Sequence, residues 1–156
     1  MVQDDRLIDL FDNNMEFIQK LKNNPLLVKS HTILWRLESG ISKPFETYVL
    51  DGSTRIIAYL KEVFMNKDQY QGVLTTIVWA DKPKDVWEQA AMEGCWEAAR
   101  GIVQAITMEY GAVDIRLNLI RVAEDGHKEL IETLEYLQSE QAAFVAGSSI
   151  DLKEDF

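Results

Sequence analysis

The sequence predicts an α/β fold: a three-layer sandwich built on a short, mainly parallel sheet of about four or five strands. Three observations lead there. The runs "HTILWRL" (31–37), "GVLTTIVWA" (72–80) and "IRLNLIRV" (115–122) are rich in β-branched and aromatic residues, and the stretches between them carry apolar residues at helical spacing. The middle run is almost continuously apolar, the composition of a strand covered on both faces. A chain of 156 residues suffices for one core and shows no linker or repeat, so a single domain over 1–156 is expected.

Residues 5–22 place Leu7, Leu10, Phe11, Met15, Ile18 and Leu21 at helical spacing and stop at Asn23-Asn24-Pro25, which predicts an amphipathic helix. The strand 31–37 follows and turns through Ser39-Gly40 and Lys43-Pro44. Asp51-Gly52-Ser53 offers an N-cap for a helix over 53–66, whose apolar stripe is Ile56, Ile57, Leu60, Val63 and Phe64. The strand 72–80 leads into a helix over about 84–109. The strand 115–122 leads into a helix over 125–139, and Phe144–Ala146 and Ser149–Leu152 flank Gly147 as a last short strand. With few strands, 31–37 is also expected at an open sheet edge, a candidate docking site for a second protein.

Composition narrows the function. Sixteen basic residues against 26 acidic ones give a net charge of -10, which repels phosphate backbones and anionic membrane surfaces. Neither nucleic acid nor membrane is an expected partner. The start "MVQDDRLIDLFDNN" lacks the order of a signal peptide, and the single Cys95 suits a reducing compartment, so a cytoplasmic location is expected. One cysteine with only His31 and His127 supplies no zinc-type ligand set, and no metal is expected.

The helix 84–109 is the most informative element. Its polar residues Gln89, Glu93, Glu97, Arg100 and Gln104 fall on one narrow stripe. Trp87, Ala91, Cys95, Ala98, Ile102 and Ile106 lie on one apolar face and Met92, Trp96, Ala99 and Val103 on another, with Gly94 and Gly101 permitting close approach. One sheet does not cover both faces. A homo-oligomer packed through the helices 53–66 and 84–109 is therefore expected, its contact drawn from Trp87, Ala91, Gly94, Cys95, Ala98, Ile102, Ile56 and Leu60.

Two strings carry a family resemblance. "GIVQAITMEYGAVDIRLNLIRV" is similar to the final turns of the catalytic helix, the Glu-Tyr-Gly stop and the following strand of the short-chain dehydrogenase/reductase family. "LQSEQAAFVAGSSIDL" is similar to that family's closing helix, turn and last strand, and the two occur in the right order and separation. The resemblance spans about Gly52 to Leu152 and implies a Rossmann-like fold. It also implies a catalytic Tyr-x-x-x-Lys, with a Ser about thirteen residues before the Tyr. The matching positions here hold Met92, Trp96 and Trp79, none of which donates a proton at neutral pH. No Gly precedes Gly40, so the glycine cluster that would cradle a dinucleotide is missing and no cofactor is expected. The family's Pro-Gly after the strand is replaced by Arg121-Val122-Ala123-Glu124, although Asn118 matches the strand's Asn. Residues 1–45 supply only one helix and one strand in this reading, so the chain is expected to be truncated relative to the full family fold.

Trp79, Met92 and Trp96 are read either as core or as a remodelled pocket for an apolar ligand. Cys95 has no His one turn away and reads as a buried structural thiol. His31 and His127 are read as separate surface positions rather than an acid–base pair. Asp81, Asp85, Glu88 and Glu93 are read as a solvated helix start or as a carboxylate site. The expected function is a non-catalytic, oligomeric interaction or scaffold module. The alternatives are an atypical NAD(P)-dependent oxidoreductase, alone or as a subunit of a hetero-complex, and a small apolar-ligand sensor.

Overall fold

The computed structural model describes residues 7–23, 31–40, 44–66, 72–110, 115–123 and 127–152. Five strands, β1 (Leu7–Asp9), β2 (His31–Leu37), β3 (Gly72–Ala80), β4 (Ile115–Ala123) and β5 (Ser149–Asp151), form one sheet in the order β1-β2-β3-β4-β5. All four pairings are parallel. Four helices connect them: α1 (Met15–Lys22), α2 (Phe45–Met65), α3 (Val86–Tyr110) and α4 (His127–Gln138). The expected three-layer α/β sandwich is what the chain forms.

Side-chain alternation along each strand divides the core in two. Ile33, Trp35 and Leu37 of β2, Leu74 and Val78 of β3, and Leu117 and Leu119 of β4 pack under α2 and α3. Leu34, Ile77, Trp79, Ile120 and Val122 point the other way, against Ile18 of α1 and Leu130, Leu134 and Leu137 of α4. Each connection steps one strand in the same direction, yet α1 and α4 cover one face and α2 and α3 the other. Connections that step alike on opposite faces have opposite hands. Two of the four are therefore left-handed, where about 98% of such crossovers are right-handed.

The structure corrects several expectations. The helix expected over 5–22 is a strand, a turn and a shorter helix. Leu7 and Ile8 extend along β2, and the Asp9 carboxylate then turns the chain by accepting the Asn14 N–H at 2.8 Å. Apolar residues that alternate between two buried faces mimic helical spacing over so short a run. Because β1 pairs with β2, the strand 31–37 is interior and β1 is the edge.

The second helix starts at Phe45, eight residues before the expected Ser53, with Pro44 at its N-cap. Gly52 reads as a start but lies mid-helix, where a Cβ would come within 2.1 Å of the Trp35 ring. The glycine lets α2 approach β2. Phe144–Ala146 is not a strand: Phe144 is fully exposed after the 3-10 turn Glu140–Ala142, and only Ser149–Asp151 joins the sheet.

Candidate functional site

In open parallel sheets ligands bind outside the carboxyl ends of the strands. Several of this chain's charged residues lie at that edge and bind one another. On the face of α2 and α3, Arg121 leaves the end of β4, and its Nη1 donates to both Glu93 oxygens of α3 at 2.8 Å. Its Nη2 donates to Asp151 of β5 at 2.6 Å, and its guanidinium lies 4.9 Å over the Trp96 ring. Burial opposes the charge on Arg121, but the hydrogen bonds and negative charges of Asp151 and Glu93 hold its pKa above the usual value.

On the opposite face Arg36 repeats the arrangement at the end of β2. It donates to Asp81 at 3.3 Å and to the Asn13 carbonyl at 2.8 Å, with its guanidinium 5.2 Å from the Trp79 ring. The β1–α1 junction is where dinucleotide-binding folds place their phosphate loop. Here its N–H groups at Phe11 and Asn14 donate to the Asp9 carboxylate, and its carbonyls at Leu10 and Asn13 accept from Arg55 and Arg36. Asp12 takes a φ of 54° to complete the turn. A phosphate placed there would meet a carboxylate.

The four acidic residues weighed as a carboxylate site each have a partner inside the chain. Asp81 binds Arg36 and the Ser39 N–H, while Asp85 caps α3 by accepting the Glu88 N–H at 2.8 Å. Glu88 accepts from the N–H groups of Gly40 and Lys84, and Glu93 binds Arg121. Burial works to raise the Glu88 pKa, but hydrogen bonds from Ser39, Gly40 and Lys84 and the Lys84 charge bring it below the usual carboxylate value. Gly40 serves this turn with a φ of 79°. Among the described residues no group of three or more His, Cys, Asp and Glu could hold a metal ion.

Met92 and Trp96 are buried beneath α3 in the core it shares with α2. Trp79 is equally buried but on the other face of the sheet, so the three do not line one pocket. Strand alternation decides this, because residue 79 shares its face with 73 and 77. Cys95 is buried and desolvation pushes its thiol up to about 12, which removes the thiolate a nucleophile needs. Tyr48 is shifted upward too, by burial and then by the charges of Glu38, Glu88, Cys95 and Asp81, so its phenol is not poised as a base. His31 opens β2 at the amino edge of the sheet and His127 opens α4 at the carboxyl edge, which keeps them apart.

The expected oligomer contact is divided by the fold. Ile56, Leu60 and Cys95 are buried within the chain and face its own sheet, because a helix of a sandwich must bury one stripe there. Gly94 receives the Phe45 ring of α2, whereas a Cβ at Gly101 would meet nothing within 4 Å. Trp87 is exposed, and Ala91, Ala98 and Ile102 are half-buried. Two residues with structural weight were not singled out as site residues in the sequence: Arg36 and Arg121. Each is a charge flanked by apolar strand residues, which signals a partner without naming it.

No protein-family model and no curated protein sequence matches the chain. Solved structures do. A 4-hydroxyisoleucine dehydrogenase complexed with NADH and succinate is similar over 94% of this chain and 85% of its own, at 18% identity and a TM-score of 0.57. A 3-ketoacyl-(acyl-carrier-protein) reductase from Brucella melitensis, complexed with NADH, is similar over 92% and 72%, at 13% identity and a TM-score of 0.52. A citronellol catabolism dehydrogenase from Pseudomonas aeruginosa PAO1 is similar over 88% and 65%, at 16% identity and a TM-score of 0.52. At such identities the likeness is one of fold: the chain has the Rossmann-like α/β architecture of dehydrogenases and reductases, two of them solved with NADH.

Proposed function

We propose that the chain is a non-catalytic protein of the short-chain dehydrogenase/reductase type, acting in the cytoplasm as a self-associating interaction module. The observation that carries this reading is the occupation of the ligand edge by the chain's own groups, above all Arg121, held between Glu93 and Asp151 over Trp96. The family positions for the proton donor and its lysine hold Met92 and Trp96, buried in the core. Fold and chemistry separate readily, since a site is lost without the scaffold being lost.

Truncation relative to the full family fold belongs to the same reading: among the described residues only β1, a strand of three residues, lies beyond β2. Self-association through α2 and α3 is supported by an outward stripe on α3 of Trp87, Ala91, Ala98, Gly101, Ala105 and Met108, in which Trp87 is 81% and Met108 87% exposed. Exposed Leu50 and Ile57 of α2 add to it.

Calorimetric titration with NADH and NADPH, paired with native mass spectrometry, tests both parts. The expected result is no saturable binding and a mass that is a multiple of 17.9 kDa. Saturable cofactor binding overturns the non-catalytic part, and a monomer overturns the self-association. The second reading is an NAD(P)-dependent oxidoreductase subunit whose partner brings a nucleotide-binding half, favoured by the NADH in two of the similar structures. It expects nicotinamide nucleotide to be retained together with a second polypeptide.

A further inference from the structure

No further inference is drawn: the strongest candidate, the edge of the sheet at β1 among the described residues, where Leu7 and Ile8 are half-buried between the two helical layers, is a strand of three residues paired with β2 on one side only, and nothing in the structure shows what covers the other side.

Discussion

Arg121 is the residue on which the ion-pair cluster at the carboxyl edge depends. Its side chain is 12% exposed, whereas Glu93 and Asp151 are 42% and 38% exposed. The two substitution routes should therefore differ. Arg121→Met leaves two carboxylates that can turn to water, and a loss of about 2 kcal/mol is expected in urea unfolding. The double change Glu93→Gln with Asp151→Asn strands a largely buried guanidinium and is expected to cost more, about 3 kcal/mol. The reverse order would show that Arg121 is held by packing on Trp96 rather than by charge.

Cys95 gives a prediction with a definite sign. Burial pushes its folded pKa up to about 12, above the ordinary thiol value of 9.0, so the unfolded chain loses that proton first as pH rises. The contribution is fully present below about pH 9 and is lost as pH climbs toward 12. Unfolding followed from neutral to alkaline pH should show a falling stability whose slope is shallower in Cys95→Ala. The native thiol should also resist iodoacetamide until urea is added.

At the scale of the element, two helical glycines make opposite predictions. A Cβ at Gly52 meets three Trp35 ring atoms at 2.1, 2.3 and 2.6 Å, and neither the ring at the centre of the core nor α2 has room to retreat. Gly52→Ala is expected to destabilise by about 3 kcal/mol through overpacking. Gly101 sits mid-helix with nothing near it, so Gly101→Ala should stabilise the isolated chain by about 0.5 to 1 kcal/mol through helix propensity. Thermal unfolding of the two variants checks the pair. Asp85 at the start of α3 adds a smaller effect: Asp85→Ala removes the acceptor for the Glu88 N–H and should cost about 1 kcal/mol.

For the whole molecule, one core face is closed by α1 and α4 and the other by α2 and α3, yet α3 still presents apolar and small residues outward. Introducing charge there separates folding from assembly. Trp87→Glu combined with Ile57→Glu touches no buried residue, so unfolding should change by less than about 0.5 kcal/mol for each position. Light scattering at equal concentration should show fewer subunits per particle. An unchanged particle would show that α2 and α3 are not the contact.

Much of the architecture was legible in the chain itself. The strands 31–37 and 72–80 match β2 and β3 to the residue, because continuous β-branched runs bounded by turn residues have few other uses. The helix around 84–109 was equally plain from its one polar stripe. Composition and periodicity also determined the fold class, and the sequence places Trp79, Met92 and Trp96 at the positions that match the resembled proton donors. What only the tertiary structure decided was everything that depends on which surfaces meet. Leu7 and Ile8 are strand because β2 lies beside them, Gly52 is helix interior because Trp35 lies under it, and Trp79 is parted from Met92 and Trp96 by the sheet between them. The ion-pair cluster at the carboxyl edge belongs there too: Arg121, Glu93 and Asp151 are distant in sequence, and ion pairing acts through space, between side chains that only the completed sheet and α3 bring together.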